Sequence, residues 1–121
     1  MNILVADDSK MARKIAIKTI KETLSENLQA NIIEVNNGEE ALATYKNENI
    51  DVVFLDLTMP IMDGFEALQK IKEYDKDAKV IVVSADIQKT SMDKVREFGA
   101  IDFVKKPINS EKMNQIIQKF L

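Results

Sequence analysis

Three aspartates stand where apolar runs of this sequence end. Asp7 and Asp8 follow the run at residues 3–6, and Asp56 follows the apolar residues 52–55. A lone carboxylate at the end of a buried strand is costly to take out of water. Asp56 therefore either caps a turn or has other groups converging on it. Carboxylate oxygens suit Mg²⁺, a hard cation that keeps several waters and also takes oxygens from phosphoryl groups.

Two further apolar runs end in groups that suit phosphate chemistry. Ser84 follows the run at residues 80–83, and Lys105 and Lys106 follow the short run 102–104. A lysine ammonium acts as a point charge toward phosphate. Three carboxylates, one Mg²⁺ ion and one lysine are together neutral, so a phosphodianion can approach them without net repulsion.

Each of these groups also has an ordinary structural explanation. A pair of aspartates after a strand is more often a turn or a helix cap than a metal site. A serine in that place is usually a cap, adjacent lysines can form a solvated surface, and Pro107 can simply start a helix. Asp56 is harder to explain in this way, because it interrupts the most apolar run and is followed by Pro60 and Gly64. The conjunction of these groups, each after its own strand, favours a phosphate and metal site.

Histidine and cysteine are both absent. Their absence excludes Ser-His-Asp hydrolysis, Cys-His chemistry, disulfides and the usual zinc sites. The net charge of −3 and the pI of about 5.0 argue against a general nucleic-acid binder. The apolar runs fall short of the roughly 18 residues of a membrane span, and no basic leader precedes the first run. We expect a cytoplasmic protein.

An alternation of strands and helices must position the polar groups. Ser9 can cap the first helix, and Asp63 and Glu66 have capping-box spacing at the third. Runs rich in valine and isoleucine predict parallel strands covered on both faces. The second run, which Glu34 interrupts, and the short fifth run suit the edges of the sheet. We predict a single α/β domain over residues 1–121, with ligands collecting at the carboxyl ends of the strands.

Four stretches resemble the receiver domain of two-component response regulators. They are LVADDS, FLDLTMPIMDG, VVSAD and FVKKP, and they occur in the order and spacing of that family over the whole chain. The likeness is greatest to the stand-alone, chemotaxis-type receivers. It implies a flavodoxin-like α/β fold with a doubly wound, five-stranded parallel sheet of order 2-1-3-4-5 and five helices; a chemotaxis receiver is a standard example of this order.

The resemblance also assigns roles to the acidic residues. Asp56 would be the phosphoryl acceptor. Mg²⁺, with Mn²⁺ as a substitute, would be bound by Asp7, Asp8, Asp56 and the backbone carbonyl of Thr58. Water would later hydrolyse the acyl phosphate, and Thr58 and Asp86 would tune that hydrolysis.

Ser84, Lys106 and Phe103 would respond to the phosphate. Ser84 would hydrogen-bond a phosphoryl oxygen, and Lys106 would pair with the phosphate while Lys105 faces elsewhere. The bond between Lys106 and Pro107 would be cis, as few X-Pro bonds are. On phosphorylation Ser84 would move toward the phosphate and Phe103 would turn inward. A packed edge-strand aromatic is the alternative explanation of Phe103.

The function that the resemblance implies is a signalling switch rather than an enzyme. The phosphoryl group would come, in line, from a histidine kinase or a histidine phosphotransfer protein, since this chain has no histidine. The chain would catalyse only its own phosphorylation and dephosphorylation. An output protein would bind the face formed by the fourth helix, the fifth strand and the fifth helix. No nucleic acid or membrane insertion is implied, and we expect a monomer.

Two other function classes compete with this interpretation. A Mg²⁺-dependent phosphatase with an aspartyl nucleophile usually has a second acid two residues after the nucleophile, where this chain has Thr58, and a cap domain is lacking. A flavodoxin-like ligand-binding module would need a loop rich in Gly, Ser and Thr where ADDSKMAR places two acids. The chain ends as the fifth helix finishes, which favours a free-standing regulator; a receiver fragment of a larger regulator is the alternative.

Overall fold

The computed structural model describes residues 1–24, 29–85 and 88–120. Within these residues five strands alternate with five helices: β1 Asn2–Ala6, α1 Lys10–Thr23, β2 Asn31–Val35, α2 Gly38–Asn47, β3 Val52–Leu55, α3 Gly64–Tyr74, β4 Val80–Ser84, α4 Lys89–Glu97, β5 Asp102–Lys105 and α5 Ser110–Phe120. All strand pairs are parallel, and the sheet order is β2-β1-β3-β4-β5. The predicted doubly wound fold is confirmed.

The sheet order leaves β2 and β5 at the edges, as their sequences predicted. Glu34 of β2 is exposed, and β5 is only partly buried. All residues of β3 and β4 are buried, which explains why these runs are almost purely apolar. The carboxyl ends of the central strands β1, β3 and β4 are therefore held in place by the buried sheet.

The core has two layers, one on each face of the sheet, because alternate strand residues point to opposite faces. Leu4 and Ala6 of β1 pack in one layer with buried residues of α2, α3 and α4. Ile3 and Val5 pack in the other layer with buried residues of α1 and α5. Each fully buried aliphatic side chain contributes roughly 1.5–3 kcal/mol. The two layers together fix where each strand ends.

Side-chain caps begin four of the helices, among them α2, where the Asn37 side chain accepts from the Glu40 N–H at 2.8 Å. The Ser9 hydroxyl accepts from the Ala12 N–H at 3.2 Å, and the Asp63 carboxylate accepts from the Glu66 N–H at 2.9 Å, as predicted. Asn109 does the same at the start of α5. Such caps stabilise a helix by roughly 0.5–2 kcal/mol. No helix in the described ranges combines the length and the apolar content that a bilayer crossing requires.

Candidate functional site

The carboxyl ends of β1 and β3 bring three aspartates together. The two strands are neighbours with Ala6 opposite Leu55, so the next residues, Asp7 and Asp56, leave the sheet side by side. One carboxylate oxygen from each of Asp7, Asp8 and Asp56 lies within 4.8 Å of the others. Over residues 1–24, 29–85 and 88–120 this is the only group of acidic side chains arranged in this way. The three acids that the sequence pattern singled out thus meet at one edge of the sheet.

Lys106, which follows β5, completes the group. Its Nζ lies 2.6 Å from Oδ2 of Asp7 and 3.2 Å from Oδ1 of Asp56. Its backbone N–H donates to the carbonyl oxygen of Ser84 at 2.9 Å, so the ends of β4 and β5 lie at the same edge. The peptide bond between Lys106 and Pro107 is cis, as the resemblance implied.

Within this group, the positive charge of Lys106 does not offset the effects that disfavour the ionised form of Asp56. Asp56 is only 5% exposed. Burial raises the pKa of Asp56 and the charge of Asp7 raises it further, while Lys106 acts in the opposite direction and does not prevail. Burial by itself lowers the pKa of Lys106, but the hydrogen bond to Asp7 and the charges of both aspartates outweigh it, so this pKa is raised. A divalent cation with a preference for oxygen ligands fits the donor set, because it would offset the remaining repulsion.

An apolar cavity adjoins the carboxylate of Asp56. It has a volume of about 80 Å³ and lies beside Asp56 on the α1 and α5 side of the sheet. Ile15, Phe54, Val83 and Ile108 are among the residues that line it. An apolar wall lowers the effective dielectric around a carboxylate, which disfavours its ionised form.

The loop between β3 and α3 packs directly against the backbone of Asp56. A Cβ atom on Gly64 would clash with the carbonyl oxygen of Asp56, and the Gly64 N–H donates to the carbonyl of Leu57 at 2.9 Å. Only glycine fits this close approach. Ile61 in the same loop is 76% exposed and has a φ of +69°, which a β-branched residue rarely adopts. The tight return of the chain holds the end of β3 in place.

The other residues predicted for the site lie as follows. Ser84 is buried as the last residue of β4, and Thr58 is exposed in the loop after β3. Lys105 is exposed, in contrast to its neighbour in the site. Phe103 is half-buried and packs against the core layer of α2, α3 and α4, a placement that fits both explanations of this residue. Asp86 lies outside the described residues.

Arg13 also lies at this edge, and sequence analysis did not single it out. Its guanidinium donates to the backbone carbonyl of Asp7 at 2.7 Å and to the carboxylate of Glu34 at 3.2 Å. The only feature of the sequence that could have drawn attention to Arg13 is the rarity of arginine. Of the 17 basic residues, only Arg13 and Arg96 are arginines.

Known proteins share both the sequence and the fold. The sequence profile of the response regulator receiver domain matches residues 3–118. Chemotaxis protein CheY of Bacillus subtilis (strain 168) is 36% identical over 119 residues, which are 98% of this chain and 96% of that protein. Protein CcdB of the same organism is 37% identical over 122 residues, with coverages of 98% and 96%.

A solved structure agrees with these relatives. The CheX-CheY-BeF3-Mg+2 complex from Borrelia burgdorferi contains a chain that is similar with a TM-score of 0.85 and 38% identity, over 98% of this chain and 87% of that one. The match covers the strands, the helices and the acidic edge together. The chain belongs to the receiver domain family of response regulators.

Proposed function

We propose that this chain is a single-domain response regulator that accepts a phosphoryl group on Asp56 in a Mg²⁺-dependent reaction. One observation carries the proposal: the carboxylates of Asp7, Asp8 and Asp56 and the ammonium of Lys106 meet at one edge of the sheet. Receiver domains bind Mg²⁺ at an acidic cluster of this kind. The similar structure from Borrelia burgdorferi is a complex that contains BeF3 and Mg.

The reaction that we propose is an in-line transfer from a phosphohistidine. One oxygen of the Asp56 carboxylate attacks phosphorus, a P–O bond forms, the P–N bond breaks, and its electron pair returns to the ring nitrogen of the donor. The donor histidine is on another protein, because this chain has none. The chain's own contribution is to orient the nucleophile and to neutralise charge.

Four groups would hold the metal ion: the carboxylates of Asp7, Asp8 and Asp56 and the backbone carbonyl of Thr58. When bound, Mg²⁺ supplies positive charge between the carboxylates and the phosphoryl oxygens. Mn²⁺ is the proposed substitute, since it also takes hard oxygen ligands. Lys106 places its ammonium beside the phosphoryl group and keeps the attacked centre from carrying excess negative charge.

The response to phosphorylation is part of the same proposal. The phosphate adds negative charge and strong acceptor oxygens. Ser84 donates its hydroxyl to one of these oxygens, and Phe103 turns inward in response. Water resets the switch by hydrolysing the acyl phosphate, and Thr58 and Asp86 tune the rate. A Thr58→Asn variant with an unchanged phosphate lifetime would remove Thr58 from this role.

The partners follow from the two steps. A histidine kinase or a histidine phosphotransfer protein donates the phosphoryl group, and an output protein binds the face of α4, β5 and α5. We propose that the chain acts as a monomer in the cytoplasm, on the strength of its likeness to chemotaxis proteins. Lysines on the output face favour an acidic partner: Lys89, Lys94, Lys105, Lys112 and Lys119.

Incubation with acetyl phosphate tests this function, with intact mass spectrometry as the measurement. We expect the wild-type chain to gain one phosphoryl group when Mg²⁺ is present and none when the metal is chelated. The Asp56→Asn variant should gain none. The control is Asp75→Asn, which changes an aspartate at the amino ends of the strands and should behave as wild type. A wild-type chain that gains no mass refutes the proposal. Multiple turnover of an organic phosphate would instead identify a phosphatase.

A further inference from the structure

We propose that Arg13 is a positioning residue for the metal site. It holds the backbone of Asp7, and thereby the Asp7 carboxylate, in the orientation that binds Mg²⁺; Glu34 of β2 orients Arg13 for this task. The inference rests on the proposed function, because it concerns the site at which the metal and the phosphoryl group would bind.

The contacts of Asp7 show why its orientation depends on Arg13 as well as on Lys106. Its N–H donates to the carbonyl of Val35 at 3.2 Å, and its Oδ1 accepts from the Ser9 N–H at 2.9 Å. Its Oδ2 pairs with Lys106 at 2.6 Å, and its carbonyl oxygen accepts from Arg13 at 2.7 Å. The proposed reaction draws Lys106 toward the phosphoryl group. The contact with Arg13 is on the opposite, backbone side of the residue and can persist when Lys106 moves.

The chemistry of the guanidinium matches two acceptors at once. Its donors form a rigid planar fork, whereas a lysine ammonium is a point charge on a flexible stem. Arg13 uses the fork to reach a strand-end carbonyl and the carboxylate of Glu34 together, and its side chain is only 15% exposed. An isolated surface pair contributes little to stability. The part-buried contact with the Asp7 carbonyl therefore supports the site, and the pair with Glu34 orients the guanidinium for that contact.

The contact with Arg13 gives a reason for Glu34 to interrupt the apolar residues Ile32, Ile33 and Val35 of β2. It lies opposite Val5 in the β1–β2 ladder, one step before the strand ends at which Asp7 emerges. Its side chain is 48% exposed, so it is not part of the core. An acid at this register position faces the guanidinium and keeps it from turning into solvent.

The other arginine of the chain provides a matched control. Arg96 of α4 pairs with Asp93 of the same helix at 3.5 Å, and its side chain is 64% exposed. Replacing either arginine by glutamine removes the same charge. Only the change at position 13 removes a support of the metal site.

The experiment measures the Mg²⁺ dissociation constant by calorimetry, without any phosphodonor, together with the melting temperature. We expect Arg13→Gln to weaken Mg²⁺ binding by about 10–100-fold, the usual effect of losing an outer-shell partner. Glu34→Gln should weaken it less, and Arg96→Gln should leave it unchanged. Arg13→Lys should recover only part of the loss, because it restores the charge without the fork. At saturating Mg²⁺ the phosphorylation rate of Arg13→Gln should approach that of wild type.

Two results would overturn the inference. One is an Mg²⁺ affinity of Arg13→Gln equal to that of Arg96→Gln, and the other is full recovery of affinity in Arg13→Lys. Should Arg13→Gln fail to fold, the half-exposed Glu34→Gln decides in its place: unchanged Mg²⁺ affinity there overturns the inference. If acetyl phosphate labels the wild-type chain but the variants bind Mg²⁺ as tightly as wild type does, the inference alone is refuted. If the Mg²⁺ affinity depends on Arg13 as expected but the wild-type chain takes no label from acetyl phosphate, the proposed function alone is refuted.

Discussion

Aspartates gather at both ends of the strands, but only one end has the geometry of a metal site. At the carboxyl ends, the carboxylates of Asp7, Asp8 and Asp56 converge within 4.8 Å. At the amino ends, three other aspartates precede or adjoin the starts of β3 and β4: Asp51, Asp75 and Asp77. Within the described residues, these three form no comparable group. Each of these two sets contains three aspartates, so the number alone cannot be what makes a site.

The difference lies in what each carboxylate meets. Asp51 accepts from the Asn2 N–H at 2.7 Å, and Asp75 accepts from the Tyr45 hydroxyl at 2.7 Å and the Asp77 N–H at 3.0 Å. The pKa of Asp75 is lowered, first by the hydrogen bond from Tyr45 and then by that from Asp77. The pKa of Asp56 is raised, first by burial and then by another acid. Asp51 and Asp75 accept from neutral donors and act as structural caps, whereas Asp56 is buried beside another acid, an arrangement that a cation would stabilise.

The largest expected effect contrasts one lysine from each edge. Lys106→Met should slow phosphorylation by acetyl phosphate by about 100-fold or more, because it removes a positive group placed at the developing charge. Lys79→Met is the control, since Lys79 donates to the Phe120 carbonyl at the opposite edge. The rate of mass gain checks both. An equal loss in the two variants would show that Lys106 acts on stability alone.

The next effect contrasts two aspartates as metal ligands. Asp8→Asn should weaken Mg²⁺ binding by at least about tenfold, because it removes one converging carboxylate. Asp77→Asn, at the other edge, should not change the affinity. Calorimetric titration with Mg²⁺ measures both. Loss of affinity in Asp77→Asn would mean that the metal binds elsewhere.

A smaller effect concerns stability without metal. Because the pKa of Asp56 is higher in the folded chain than in the unfolded chain, its contribution to stability falls as pH rises between these values. At pH 7 its carboxylate therefore opposes folding, and Asp56→Asn should raise the melting temperature by roughly 2–6 °C, the shift that about 1 kcal/mol produces in a domain of this size. Asp75→Asn should lower it. Thermal denaturation in a chelator measures both, and a lower melting temperature for Asp56→Asn contradicts the argument.

The smallest effect is the pH dependence of the stability that the hydrogen bond between Tyr45 and Asp75 contributes at the amino ends of the strands. The lowered pKa of Asp75 means that its bond from Tyr45 contributes stability above the unfolded aspartate pKa, and that this stability is lost as pH falls through the folded pKa. Tyr45→Phe should lower the melting temperature by a few degrees at neutral pH, and the difference from wild type should shrink in acid. Tyr74→Phe is the control, because Tyr74 is exposed and meets Tyr45 only edge to face. A difference that does not change with pH would contradict the account.

Much of the fold could be predicted because the core has two layers. Strands covered on both faces are apolar at almost every position, so the apolar runs of β1, β3 and β4 could be recognised before it was known which strands pair. Glu34 and the short β5 marked the edges for the same reason. The strand order itself came from resemblance to a family, since periodicity does not encode which strands pair.

The site could be predicted only in part. Asp7, Asp8 and Asp56 were singled out because they follow the first and third apolar runs, and the pair Lys105-Lys106 because it follows the fifth; the resemblance then chose Lys106. The residues alone did not choose between Lys105 and Lys106, and the structure pairs only the latter with the aspartates. Arg13 was missed, because a basic residue within a helix rich in lysine has no local signal of what it contacts.

The sequence by itself determined the alternation of strands and helices and the polar groups at the strand ends. Local residue patterns suffice for this, because they indicate which segments are buried and which residues cap a helix. The tertiary structure decided which groups touch: Lys106 contacts both Asp7 and Asp56, Arg13 donates to the carbonyl of Asp7, and the carboxylates of Asp51 and Asp75 accept hydrogen bonds at the amino ends of the strands. The reason is physical. Contacts between residues far apart in the chain depend on strand order, register and pleat, and these are set by packing of the whole sheet between its two layers of helices.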